Sequence, residues 1–410
     1  MLGQMVGKIT MGHEFSVERL EYLTSHLDRY VDDGRFPGYS CLVTRHGEEA
    51  YFRAFGQRDV ERNLSMDRDT VVRIYSMSKP VTSVALMTLY EQGKFQLDDP
   101  VSKFIPSWSD LSVYEGGDGE AMVTSPSTEP VTIKHLLTHT SGLTYGFMNS
   151  HPVDALYRNA SIGGERQGST LQDMIDDLAD VPLTFTPGSR WNYSVATDVC
   201  GYLVQLFSDT DLDVFVRERI TKPLGMSDTG YQVPASSKDK FAACYRYKRG
   251  GGFELQDDPT TSPYHQRPTF FSGGGGMVAT IDDYGRFAQM MLNRGEFGGH
   301  RVLGRKTVEY MVTNHMPGNV DLAAMGQPVF SETSYHGIGF GLGFSVVLDP
   351  AAAGVLDSPG EFAWGGAAST YFWVDPLEDM TVVFLTQLLP SSTHPIRREL
   401  KTLIYQAIAN

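Results

Sequence analysis

The chain has 410 residues, 41% hydrophobic and 20% charged, as in a folded globular protein large enough for two domains or one composite body. Its 34 Lys and Arg stand against 49 Asp and Glu, a net charge of −15, which argues against nucleic acid or an anionic membrane as a main partner. No stretch approaches the ~18 apolar residues of a membrane span, and the N-terminal segment lacks the apolar core of a secretory signal, so a cytoplasmic location is expected.

In chain order, residues 16–33 predict an amphipathic helix with Leu20, Leu23, Leu27 and Tyr30 on one stripe. Residues 38–45 and 48–56 read as two strands around a His46-Gly47 hairpin turn. A long apolar helix follows Ser76-Met77-Ser78-Lys79, through Val81, Val84, Ala85, Leu86 and Leu89, and closes at Gly93. Pro80 fits there because it falls in the first turn, where the backbone N–H has no helical partner. Residues 100–265 carry turn signals and short helical patches. Strand signals return at 340–348, 361–364, 369–374 and 380–387, with Asp375-Pro376 starting the last turn, and a helix closes the chain at 395–408. Secondary structure of both kinds at the two chain ends, around a helical middle, predicts one α/β layer built from both termini with an inserted second lobe, and a ligand cleft between them. The boundaries drawn are 1–100 with 266–410 for the first body and 101–265 for the insertion.

Ser76 and Lys79 are three residues apart, a spacing that puts two side chains on one helix face. A serine hydroxyl is a weak nucleophile until a base takes its proton, and a partly desolvated lysine loses basicity enough to serve near neutral pH. At a helix start, dipole and free N–H groups favour developing negative charge. No serine sits in a G-x-S-x-G elbow, which leaves Ser76 as the candidate nucleophile. Tyr193, in Pro187-Gly188-Ser189-Arg190-Trp191-Asn192-Tyr193-Ser194, is a second candidate; a tyrosine beside an ammonium is drawn toward phenolate and can shuttle protons. The third is Trp364-Gly365-Gly366-Ala367, whose paired glycines let backbone approach a ligand.

These stretches, in this order, resemble the serine β-lactamase and penicillin-binding-protein superfamily, and within it the family VIII carboxylesterases related to class C β-lactamases. Supporting phrases are Leu97-Asp98-Asp99-Pro100, Leu136-Leu137-Thr138-His139-Thr140-Ser141-Gly142-Leu143, Lys222-Pro223-Leu224-Gly225-Met226 and Ser272-Gly273-Gly274-Gly275-Gly276-Met277. The resemblance implies an α+β fold, an antiparallel sheet flanked by helices with an inserted mainly helical domain. It makes Ser76 the acylated nucleophile, Lys79 and Tyr193 the proton-transfer pair, and the N–H groups of Ser76 and Ala367 the oxyanion hole. Which of Lys79 and Tyr193 is the base stays open, because a coupled pair shares its titration. Trp364, Gly365, Gly366 and Val195 become substrate-binding residues. Where the lactamases carry Lys-Thr-Gly, Trp364-Gly365-Gly366 stands, and Tyr193-Ser194-Val195 replaces Tyr-x-Asn. Val195 cannot hydrogen-bond a β-lactam's amide side chain, and Trp364 removes a cation that would attract its carboxylate.

The expected activity is therefore hydrolysis of short-chain carboxylic esters through an acyl-enzyme on Ser76, with weak β-lactam hydrolysis as a side activity, no metal or organic cofactor, a small-molecule ester as partner, and no nucleic acid or membrane. The alternatives are a β-lactamase or D-alanyl-D-alanine peptidase, an acyltransferase of the same superfamily, and a sensor that acylates and stalls. Cys41, Cys200 and Cys244 have no metal-type spacing and read as buried free thiols. His135 and His139 lie four apart without the Glu of H-E-x-x-H, and read as structural. For Gly273–Gly276 the resemblance implies a tight approach near the cleft rather than a flexible linker.

Overall fold

The computed structural model describes residues 15–164, 166–326 and 329–409. Eight strands form the main sheet: β1 (Gly38–Arg45), β2 (Glu48–Asp59), β3 (Leu64–Ser65), β4 (Ile338–Phe340), β5 (Ser345–Val347), β6 (Phe362–Gly365), β7 (Tyr371–Asp375) and β8 (Met380–Thr386). Their order is β4-β5-β6-β7-β8-β1-β2-β3, antiparallel throughout. The seam between β8 and β1 joins the two halves of the chain, with Tyr39 opposite Thr386 and Arg45 opposite Met380. The β1–β2 turn is His46-Gly47, both at positive φ (53° and 75°), which matches the right-handed twist of a two-residue hairpin. The turn from β7 to β8 is held by Asp375, whose Oδ1 accepts from the N–H groups of Leu377 (2.9 Å) and Glu378 (3.1 Å).

Helices cover both sheet faces. On one lie α1 (Val17–Asp32) and the C-terminal helix Ile396–Tyr405, whose Leu20, Leu23, Leu27, Ile396, Leu400 and Ile404 share a core with Val382 and Phe384. On the other face Val383 and Leu385 join a second core with α2 (Ser78–Glu91), α3 (Ala196–Ser208) and α4 (Ile281–Leu292). Alternate residues of β8 thus face opposite cores, and burial on both sides is why residues 380–387 read as an unbroken apolar run. Numbering the C-terminal helix Ile396–Tyr405 as α5 completes the set. In α2 every residue from Ser78 to Leu89 is buried, and Gly93 closes the helix at φ 72°.

One expectation needs correction. The strand at 340–348 is broken into β4 and β5, a hairpin pairing Phe340 with Ser345. The glycines between them are needed for close approach: a Cβ on Gly341 would overlap the Met311 carbonyl, and one on Gly343 (φ 95°) would overlap the Ser83 side chain. The middle of the chain, besides short helices at Ile133–Leu137, Pro152–Asn159, Leu171–Ala179 and Leu212–Val216, holds two hairpins, Ser112–Gly116 with Val123–Pro126 and Cys244–Tyr247 with Phe253–Asp257. The second of these runs parallel to Leu388–Leu389 just after β8, and Tyr245 packs into the α1 core.

Candidate active site

Ser76 stands in a single tight turn, Tyr75–Met77, that leads directly into α2. The turn is strained, with Tyr75 at φ 42°, a conformation a bulky residue rarely holds without surrounding constraint. The constraint is visible. Arg73, fully buried, donates to the Ala242 carbonyl (2.7 Å) and to Asp257 (2.8 Å). Gln387 donates to the Arg73 carbonyl (2.9 Å), Ile74 N–H donates to the Met277 carbonyl (3.1 Å), and Tyr284 Oη donates to the Met77 carbonyl (2.8 Å). The N–H of Ser76 lies at the open start of the helical run, where no intrahelical acceptor exists.

Around the Ser76 hydroxyl the candidates converge. Tyr193 Oη donates to Ser76 Oγ at 2.6 Å, and Lys79 Nζ lies 3.3 Å from the same oxygen. Lys79 Nζ also donates to the Gly274 carbonyl (2.7 Å) and sits 4.5 Å from the Tyr193 ring centre. Lys79 is 2% exposed, and burial lowers its pKa to about 8, against the pull of Asp198 and Glu332. Tyr193 departs from expectation. Burial raises its pKa well above the usual 10, and the negative charge of Glu332 adds to this, so Tyr193 is a neutral phenol rather than one drawn toward phenolate. His139, buried and held neutral by the same desolvation, packs edge-on against Tyr193 at 5.1 Å with its Nδ1 3.2 Å from Ser194 Oγ. His135 does different work: its Nδ1 accepts from the Thr132 N–H at the start of a short helix.

The Gly273–Gly276 loop is a close approach, as expected. A Cβ on Gly273 would lie 2.7 Å from the Thr197 carbonyl, and one on Gly274 2.7 Å from Asp198 Oδ2. Asp198 Oδ1 accepts from Ser272 Oγ (2.7 Å) and the Gly274 N–H (2.9 Å), so a buried carboxylate fixes the segment whose carbonyl holds Lys79. A cavity of about 650 Å³ opens beside this loop, bordered by Ser272, Gly275, Gly276, Tyr231 and Phe270.

Trp364 is fully buried, 5.5 Å from the Tyr193 ring, and Val195 is fully buried at the start of α3. Gly365 ends β6, and Gly366 and the half-buried Ala367 follow in the turn to β7. A Cβ on Gly366 would overlap the Ile74 carbonyl, so the loop after β6 lies directly against the Ser76 turn. Tyr145, Phe147 and Phe330 form an aromatic rim: Tyr145 stacks on Phe147 at 4.7 Å and meets Tyr193 at 5.3 Å, while Phe330 lies 5.8 Å from Phe147 and 6.4 Å from Tyr193. Among the described residues no group of three or more His, Cys, Asp or Glu side chains is placed to hold a metal ion, and no helix is long and apolar enough to cross a membrane.

Sequence reasoning missed Asp198, Tyr145 and Glu332. Asp198 carried a usable signal, a lone carboxylate in the first turn of an otherwise apolar helix. Tyr145 and Glu332 lie in loops whose place in the fold nothing local reveals.

The antiparallel sheet with its flanking helices is the β-lactamase/transpeptidase-like fold. The chain belongs to the Beta-lactamase family, whose model matches residues 23–406. It is 36% identical over 363 residues to an uncharacterized protein of Mycobacterium tuberculosis, covering 88% of each chain. It is 31% identical over 385 residues to Esterase EstB of Burkholderia gladioli, covering 89% of each. Among solved structures it superposes on EstCE1, a hydrolase with promiscuous acyltransferase activity, with a TM-score of 0.79 at 28% identity, over 96% of this chain and 99% of that one.

Proposed function

We propose that this protein is a serine carboxylesterase that hydrolyses short-chain carboxylic esters through an acyl-enzyme on Ser76. The observation that carries this is the hydroxyl of Ser76 in hydrogen-bond reach of both Tyr193 (2.6 Å) and a buried lysine whose pKa is about 8. Neutral Lys79 gives one N–H to the Gly274 carbonyl and turns its lone pair to Ser76. The proton leaves Ser76 Oγ for Lys79 Nζ as Oγ attacks the ester carbon. The N–H groups of Ser76 and Ala367 receive the tetrahedral oxyanion; loss of one such donor typically costs ~10²–10³ in rate. Tyr193 hands its proton to the departing alkoxide and regains one from Lys79, and water then deacylates the enzyme by the reverse route. The esterase activity of its relative EstB supports this assignment.

The surroundings favour neutral, apolar acyl groups. Trp364 and Val195 are fully buried and lie behind the site, while Tyr145, Phe147 and Phe330 stand at the approach. A β-lactamase or peptidase role lacks the cation of the third motif. Transfer of the acyl group to an alcohol is the second reading, favoured by the acyltransferase activity in EstCE1. The test is p-nitrophenyl butyrate beside nitrocefin, for wild type and Ser76→Ala, with and without added alcohol. Ester cleavage that depends on Ser76 and exceeds nitrocefin turnover is expected. The opposite ranking would overturn the assignment, and transfer products would establish the second reading.

A further inference from the structure

Arg397, in the first turn of α5, reaches across the sheet into the loop between β6 and β7. Its Nη2 donates to the Gly366 carbonyl (2.9 Å) and to the Thr370 carbonyl (2.9 Å), and its Nη1 to the Glu332 carbonyl (3.1 Å). The Glu332 carboxylate, fully buried, pairs with Nη2 at 2.5 Å. The guanidinium lies so close to β6 that a Cβ on Gly365 would overlap it. The Gly366 N–H donates to the Thr370 carbonyl (3.0 Å), so one of the two carbonyls held by Arg397 also closes the mouth of this loop.

The Gly366 carbonyl belongs to the same peptide unit as the Ala367 N–H, and that peptide is trans. In a planar trans peptide the C=O and N–H point in opposite directions. A donor fork that fixes the carbonyl on one side of the loop therefore fixes the N–H on the other, in a loop that lies against the Ile74 carbonyl just before Ser76. Arginine suits this because its planar fork spans several acceptors at once, whereas lysine presents a point charge.

We propose that Arg397, braced by Glu332, is a positioning residue that aims the Ala367 N–H into the oxyanion hole. This rests on the esterase mechanism above and names a part of it that neither the Ser-x-x-Lys pair nor the Trp-Gly-Gly run contains. Arg397 touches no reacting atom. Its loss should lower kcat and leave ester binding nearly intact.

The experiment uses the full chain and p-nitrophenyl butyrate. Wild-type turnover that is lost in Ser76→Ala is established first; its absence would remove the esterase mechanism itself. Arg397→Gln is then expected to lower kcat by ~10²–10³, the effect of losing one oxyanion donor, with KM changed less than about threefold. Millimolar guanidinium should restore part of kcat. Should Arg397→Gln fail to fold, Arg397→Lys keeps the charge against Glu332 without the fork and is expected to show the same kcat loss. A folded variant of either kind with kcat within tenfold of wild type would overturn the proposal. So would a loss carried by KM.

Discussion

At the scale of single residues the site is governed by one buried amine. Lys79 has its proton affinity lowered from 10.5 to about 8 by desolvation. If its neutral form takes the Ser76 proton, kcat/KM should rise with pH through a midpoint near 8, with no fall until well above 10 because Tyr193 is held protonated. A pH–rate profile flat between 6 and 9 would remove Lys79 as the base. The same depression has a stability consequence. Below pH 8 Lys79 is charged in both states but desolvated in the fold, a destabilisation of about 3 kcal/mol at ~1.36 kcal/mol per tenfold change in proton affinity. Between pH 8 and 10.5 the unfolded chain binds the extra proton, so this contribution fades and stability rises. Lys79→Met should therefore be inactive, and its stability relative to wild type should decline from pH 7 to pH 10.5. Urea midpoints for both proteins at the two pH values measure it. Tyr193→Phe should fold and lose most of its turnover; an unchanged rate would take Tyr193 out of the mechanism.

At the scale of elements the loop after β6 is the sensitive part. Gly366→Ala places a methyl against the Thr370 hydroxyl and against the Ile74 carbonyl, which is backbone with nowhere to retreat. Overpacking of this kind costs about 1–3 kcal/mol, and the displaced loop should lower kcat by at least tenfold. Gly116→Ala is the control, since its Cβ meets nothing within 4 Å. Thermal unfolding and ester assays on both variants separate the two effects. The paired glycines were legible in the sequence as a backbone needing room, as was Gly273–Gly276. What needed that room was not legible, because Ile74 lies far upstream and Arg397 lies 31 residues downstream of Gly366. The strands were legible wherever burial on both faces made continuous apolar runs, as in β8. The Cys244–Tyr247 hairpin was missed because its exposed Arg246 and Tyr247 and its partner strand Phe253–Asp257 carry no such run.

At the scale of the whole molecule the two ends of the sequence share one sheet, and charges buried in α5 help hold it. Lys401, at 5% exposure, pairs with Glu361 at 2.5 and 2.6 Å and with Asp357, while Tyr405 donates to Asp375 at 2.6 Å. Removing one member of a buried ion pair typically costs about 3–5 kcal/mol because its partner is left uncompensated. Lys401→Ala should lose that much in a urea titration, and a loss under 1 kcal/mol would show that water reaches the cluster. That both termini build one layer was readable from strand signals at each end. The order in which strands pair was not, since pairing of β1 with β8 has no local signature.

The pairing of β1 with β8 also makes the molecule divisible. The tip of the hairpin at Arg249–Gly252 is exposed on every residue, and exposed tips of small residues tolerate a break in the chain. A cut there puts the serine, lysine and tyrosine on one fragment and the Trp-Gly-Gly loop with Arg397 on the other. Neither piece alone has a complete sheet. Mixed together, the fragments should regain ester turnover only when β8 docks beside β1, and a coloured ester product would then report the meeting of any two proteins fused to the halves.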